Sequence, residues 1–70
     1  MSTNESFEQE LNNLLERYHL LYWKNSGLEE LIKNAQKEKK HWEAIDNIRM
    51  TNDMSRIIEL ADSLMATEAA

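Results

Sequence analysis

Apolar residues in the first third of the chain recur at the spacing of a helix. Steps of four and three residues alternate, as on the buried face of an amphipathic helix, at Phe7, Leu11, Leu14, Tyr18 and Leu21. Ser6 and Gln9 have the spacing of a capping box, in which each side chain bonds the other residue's backbone amide. The pattern predicts a first helix over residues 6–25.

The end of this predicted helix is apolar on all sides. At about 100° per residue, the four apolar residues that follow His19 go nearly once round the helix. One neighbouring helix cannot cover them all, so we expect a second copy of the chain or a different protein on the other side. Leu20 and Trp23 point away from the helical seam and are the expected anchors. For the other apolar residues of the stretch, Tyr18, Leu21 and Tyr22, the favoured alternative is a place in the core.

Residues 24–27 combine a signal to end one helix with a signal to begin the next. Gly27, the only glycine, can supply a left-handed C-terminal residue, and Ser26 and Glu29 have the spacing of a second capping box. We therefore expect a tight turn and a second, antiparallel helix over residues 28–50. The alternative is one continuous helix through Gly27, at a cost of about 1 kcal/mol relative to alanine. The inner stripe of the second helix comprises Leu28, Leu31, Ile32, Ala35, Trp42, Ile45 and Ile48.

A cluster of N-cap residues at positions 51–53 predicts a break before a third helix over residues 53–66. Its apolar positions are Met54, Ile57, Ile58, Ala61, Leu64 and Met65. Continuity of the second and third helices remains an alternative. Residues 1–5 and 67–70 are expected to fray. With no proline in 70 residues, the fold class is all-α: a single domain, 1–70, built as an antiparallel helical hairpin with a shorter third helix, a small three-helix bundle that assembles into oligomers.

Helix length places an interaction surface near the first turn. The second helix spans about 34 Å and the third about 20 Å, so the third cannot cover the turn-proximal end of the hairpin. The expected protein-interaction residues there are Tyr18, Leu20, Leu21, Tyr22, Trp23, Leu28, Leu31 and Ile32. On this interpretation, combining Leu20→Asp with Trp23→Ala abolishes association and leaves most of the helix intact.

Composition and charge limit the expected partners and cellular location of the protein. The chain has no cysteine for disulfides and a formal net charge of −5, which disfavours general binding to nucleic acid or anionic membranes. The polar, acidic start does not resemble a secretory signal, and no stretch approaches the ~18 apolar residues of a membrane span. We therefore expect a cytoplasmic protein with no membrane partner.

Two further patterns carry possible chemistry. Glu16 with His19 and Glu38 with His41 both have the Glu-x-x-His spacing of di-iron helical bundles, but they do not fall on the apolar faces, so chance is the better explanation. A ridge of Lys33, Lys37 and Lys40 on the second helix can contact phosphates, although nearby glutamates balance much of its charge.

No nucleophile with a base, glycine-rich phosphate loop or Cys/His cluster occurs in the sequence. We therefore expect no catalysis, cofactor, metal or small-molecule substrate. The expected function is that of a small protein-protein interaction module, an adaptor, regulator or assembly or chaperone-type factor, acting as a homodimer or larger homo-oligomer or docking on another protein. The alternatives are a nucleic-acid-binding regulator that uses the Lys33/Lys37/Lys40 ridge and, third, a metal-dependent oxidase.

Overall fold

The computed structural model describes the backbone of residues 3–69 and the side chains of residues 5–67. Within that range the chain forms three α-helices and one 3₁₀ segment, with no strand. In order they are α1 (Thr3–Arg17), the 3₁₀ segment (Leu21–Ser26), α2 (Leu28–Ala44) and α3 (Ile48–Ala69). The predicted all-α class with three helices is confirmed.

Helix α3 lies at the centre of the fold. It packs against both α1 and α2, whereas no Cα of α1 lies within 8 Å of one in α2 among the described residues. Leu28, at the start of α2, lines a cavity with Leu64 near the end of α3, while Trp42 lines another with Met50 and Met54. Helices α2 and α3 therefore face each other in opposite order along the chain. The structure thus pairs α2 with α3, not the first two helices as predicted.

The core is built from one apolar stripe of each helix, and the 3₁₀ segment adds one large side chain. No polar or charged side chain of the described residues is buried. The buried residues are Leu11, Leu14, Leu15, Trp23, Leu31, Ala35, Met54, Ile57, Leu60, Ala61 and Leu64. The 3₁₀ segment contacts both α1 and α2, and its Trp23 is buried in the core.

Helix α1 ends at a non-glycine residue in the left-handed conformation. His19 has φ 61°, its amide donates to the carbonyl of Glu16 at 3.1 Å, and the Leu20 amide donates to the carbonyl of Leu15 at 2.7 Å. These two bonds are those of a Schellman motif, which satisfies the last carbonyls of a helix. The first helix therefore ends at Arg17, not at residue 25 as predicted, because backbone bonds close it at His19.

Helix α2 ends in the same way. Asp46 has φ 58°, its amide donates to Glu43, and the Asn47 amide donates to the carbonyl of Trp42 at 2.9 Å. Asn47 also begins α3, because its side-chain oxygen accepts from the Met50 amide at 3.1 Å. The predicted end at residue 50 and start at residue 53 are therefore both wrong: α2 ends at Ala44 and α3 begins at Ile48.

Residues that the sequence predicted as helix caps lie inside helices instead. Thr51 is in the first turn of α3, where its hydroxyl donates to the Asn47 carbonyl at 2.8 Å. Ser6 lies within α1, which the structure describes from Thr3 onward, so Ser6 is not its N-cap. Of the residues expected to fray, 3–5 and 67–69 are helical, and residues 1, 2 and 70 lie outside the described range.

Gly27 separates the 3₁₀ segment from α2, so the predicted break is present. Its backbone angles, φ 93° and ψ 168°, are accessible almost only to glycine, and they are not the left-handed helical angles expected from the sequence. The Gly27 amide donates to Lys24, and its carbonyl accepts from Leu31 as the first bond of α2. Gly27 is therefore the N-cap of α2.

Candidate interaction surface

Among the described residues four large apolar side chains are exposed, and all belong to the chain reversals next to α2. Leu21 and Tyr22 in the 3₁₀ segment are 43% and 62% exposed, and Ile45 and Ile48 around the α2–α3 turn are 58% and 74% exposed. Scattered exposed apolar residues are common on soluble proteins, whereas grouped ones indicate a contact surface. Proximity of these four side chains would therefore indicate a contact surface.

One cleft of about 140 Å³ brings the two chain reversals together. Apart from Glu38 its lining is apolar or aromatic, and consists of Tyr18, Leu20, Glu38, Trp42, Met50 and Met54. Leu21 directly follows Leu20, Ile45 is one helical turn beyond Trp42, and Ile48 is two residues before Met50. The four exposed residues, with Tyr22 next to Leu21, therefore belong to the two chain reversals that border this cleft. We call this cleft together with Leu21, Tyr22, Ile45 and Ile48 the apolar end.

The two Schellman motifs place the walls of the cleft. The motif at His19 turns the chain so that Leu20 packs against the core, next to the α2–α3 turn. On the opposite wall, the Trp42 ring lies edge-on to His41, with 5.0 Å between ring centroids. The chain leaves each wall through a residue with positive φ, His19 on one side and Asp46 on the other. The backbone hydrogen bonds of the two Schellman motifs therefore set the direction of both walls.

A polar contact holds α1 against α3 beneath the cleft. The Tyr18 hydroxyl donates to the Asp53 carboxylate, and the Arg17 guanidinium lies 3.7 Å from the same carboxylate oxygen. Burial raises the pKa of the Tyr18 hydroxyl, and the hydrogen bond to Asp53 raises it further. Tyr18 is therefore a neutral donor at physiological pH, and it is tied to the fold rather than free for a partner.

A second contact joins the same helices one to two turns further on. Arg56 of α3 donates to both carboxylate oxygens of Glu10 in α1, at 2.7 and 3.0 Å. This bond from Arg56 lowers the pKa of the Glu10 carboxyl. Lys24 makes a comparable tie from the 3₁₀ segment to α1, donating to the Asn12 side chain at 2.7 Å.

The residues predicted to form the interaction surface divide into three groups. Trp23 is only 6% exposed and Leu31 is fully buried, so both are core residues and cannot serve as anchors in this fold. Tyr18, Leu20, Leu28 and Ile32 are half-buried against the core. Only Leu21 and Tyr22 are exposed.

The roles predicted for Trp23 and for its two neighbours, Leu21 and Tyr22, are therefore exchanged. Trp23 was an expected anchor, and Leu21 and Tyr22 were favoured for the core. The reason is the early end of α1, because the 3₁₀ segment presents different side chains to the core than a continued α-helix would.

Sequence reasoning also missed Ile45 and Ile48, which it placed on the inner stripe of a longer second helix. They lie instead on either side of Asp46 and Asn47, where α2 has ended and α3 begins. The Asp-Asn pair was the signal that could have found them, because these two residue types tolerate the left-handed conformation and cap helices.

No family model, curated protein or solved structure matches the chain.

The other side of the α2–α3 pair carries a second, more polar surface. One cleft of about 500 Å³ is lined by Gln36, Lys39, Lys40, Glu43 and Ile58. A cleft of about 240 Å³ beside it is lined by Glu43, Asp46, Ile48, Thr51 and Asn52. Because Glu43 lines both, the two clefts form one continuous surface, which we call the open face.

The residues of the two other predicted sites are divided among the surfaces: Glu38 lines the cleft of the apolar end and Lys40 lines the open face. Lys33, Lys37 and Lys40 are all exposed on α2, and Lys33 lies 3.7 Å from Glu30. His19 lies beyond the end of α1, so Glu16 and His19 do not share a helical turn. Among the described residues no three His, Cys, Asp or Glu side chains form a group suited to a metal ion, and no helix is long and apolar enough to cross a membrane.

Proposed function

We propose that this protein is a small, non-catalytic protein-protein interaction module that associates with a second copy of itself through the apolar end. The observation that carries the proposal is an apolar cleft between two chain reversals, together with four exposed large apolar side chains in the same two reversals. Covering them removes apolar surface from water, which is the main favourable term in protein association. The charged side chains around the cleft then orient the two copies and set the rate of association.

The size of the chain supports self-association. A 70-residue domain buries only about 60% of the surface that its unfolded chain exposes, so its stability by itself is marginal. A standard interface covers about 800 Å² on each partner, or about a sixth of the 4844 Å² that the chain exposes. A second copy would therefore add to the stability of the fold as well as carry the function.

The first experiment is the solution mass by light scattering, with circular dichroism followed through a dilution series. We expect a mass of twice the 8.3 kDa of the chain at high concentration, with a loss of helix on dilution because association stabilises the fold. A helical monomer at every concentration would contradict self-association and would leave the apolar end for a different protein.

A pair of matched variants tests the surface itself. Ile48→Asp places a charge at the most exposed apolar side chain, and a carboxylate at the first position of α3 favours the helix rather than weakening it. Asn25→Asp adds the same charge at an exposed position of the 3₁₀ segment outside the apolar end. We expect Ile48→Asp to abolish the dimer and Asn25→Asp to leave it. If the two variants behave alike, the apolar end is not the contact.

Nucleic-acid binding through Lys33, Lys37 and Lys40 is a second candidate. All three side chains are exposed, and in the part of the chain that the structure describes Lys37 and Lys40 form no ion pair. This function requires an affinity for duplex DNA or RNA that falls steeply with salt and with Lys37→Ala. An affinity that does not change with salt concentration, or no binding at low salt, would eliminate this candidate function.

A further inference from the structure

Charges on the open face are arranged so that the face complements itself. Lys39 and Lys40 line its larger cleft, and Asp46 lines the smaller one, with Glu43 between them. Two cations thus lie toward one end of the face and Asp46 toward the other, while Glu43 lines both clefts. None of these four side chains forms an ion pair with another described residue.

The apolar side chains of the face have the same arrangement. Ile58 is half-buried in the floor of the basic cleft, and Ile48 stands out from the acidic one. They are ten residues apart on α3, which is about 15 Å. The midpoint between them is close to the level of Thr51 and Asn52, which share a cleft with Glu43.

We propose that the open face is the interface of a two-fold symmetric dimer, in which the basic cleft of each copy covers the acidic cleft of the other. A two-fold axis at the level between Lys40 and Glu43 exchanges the two clefts. It therefore brings Lys39 and Lys40 of one copy to Glu43 and Asp46 of its partner, and Ile48 of one copy over Ile58 of the other. Closed two-fold dimers of this kind are the commonest homo-oligomers.

The same charges favour a second copy over a polyanion. A nucleic acid that reached Lys39 and Lys40 would also meet Glu43 and Asp46, which repel phosphate. A second copy presents the opposite charge at each of these places. This inference rests on the proposed self-association and changes the surface that carries it: of the apolar end, a dimer through the open face covers Ile48 and not the cleft.

Charge exchange tests the arrangement. The first variant combines Lys39→Glu with Lys40→Glu. The second combines Glu43→Lys with Asp46→Asn, since asparagine tolerates the left-handed backbone at this position. In a symmetric dimer each variant places like charges opposite each other twice, so we expect each to raise its own dimer dissociation constant about 100-fold. An equimolar mixture places opposite charges together again and should associate within about tenfold of the wild type.

Sedimentation equilibrium measures the dissociation constants of the two variants and of their mixture, and circular dichroism shows whether each variant remains helical. The matched control combines Lys33→Glu with Lys37→Glu, which changes the charge of α2 equally at residues that line neither cleft. It should leave the dissociation constant within a few-fold of the wild type. An equal loss in this control, or a mixture that associates no better than its components, would overturn the inference.

The outcomes separate this inference from the proposed function. If Ile48→Asp abolishes the dimer while both charge variants keep it, self-association through the apolar end stands and the symmetric arrangement is wrong. If the wild type is a monomer throughout, both fail. If the Lys39 and Lys40 variant changes no mass but loses binding to a labelled duplex DNA, the face is a nucleic-acid site instead.

Discussion

Replacing Trp23 by alanine tests how the chain reverses after α1. The Trp23 side chain is 6% exposed and belongs to the core, and the 3₁₀ segment that carries it contacts both α1 and α2. Removing a buried aromatic side chain costs about 3–5 kcal/mol, through lost burial and the cavity left behind. A 70-residue domain has about 3.5–10 kcal/mol of unfolding free energy in total. We therefore expect Trp23→Ala to lose between a third and all of the stability.

The preceding residue provides the matched control. Tyr22 is 62% exposed, so Tyr22→Ala should change the free energy of unfolding by less than about 1 kcal/mol. Urea titration followed by circular dichroism measures both variants. It should be repeated at two protein concentrations, because dimerisation adds to the apparent stability of any variant that still associates.

The comparison has an outcome that refutes the structural argument. If Tyr22→Ala is the destabilising change and Trp23→Ala unfolds at the urea concentration of the wild type, Tyr22 is in the core and Trp23 is outside. That result would mean that α1 continues as an α-helix beyond Arg17, as the apolar spacing alone predicts. It would also remove Tyr22 from the apolar end.

The remaining predictions concern backbone geometry and pH. His19→Gly should raise the free energy of unfolding by about 0.5–1 kcal/mol, because φ 61° is costly for histidine, and an unchanged or lower thermal midpoint would contradict this. Gly27→Ala should lose about 1–3 kcal/mol in the same assay through backbone strain alone, since no atom lies within 4 Å of the added Cβ. Arg56 lowers the pKa of Glu10 in the folded protein. The ion pair therefore stabilises the fold fully above the pKa of the unfolded carboxyl, and this stabilisation is lost as pH falls through the lowered value. Glu10→Gln should therefore reduce the loss of stability below about pH 4 in urea titrations, and an acid slope equal to that of the wild type would argue against the pair.

The fold class and the face of the last helix could be predicted from the sequence. One glycine and no proline leave little besides helix, and the spacing of Met54, Ile57, Ala61 and Leu64 identified a stripe that is buried throughout. These predictions succeed because periodicity reports which side of a helix packs against the rest, whatever its neighbour is.

The helix ends could not be predicted in the same way. The usual signal for a left-handed C-terminal residue is glycine, and here His19 and Asp46 take that conformation instead. Each is accompanied by a backbone hydrogen bond from the following residue, Leu20 to Leu15 and Asn47 to Trp42, which local sequence does not reveal. The candidate surface depended on those ends, so the roles of Trp23 and Tyr22 were exchanged although the stretch that contains them was correctly singled out.

The central position of α3 has a consequence for the order in which the protein folds. Helices α2 and α3 are joined by residues 45–47 and can pair locally, whereas Glu10 and Arg56 are separated by 46 residues. Contacts between distant residues pay a larger loop-closure entropy, so we expect α1 to dock last and to detach first. Native-state hydrogen exchange should then show the amides of α1 exchanging before those of α3. A chain of this length would thus contain a helical pair that forms early and a detachable helix that completes its core.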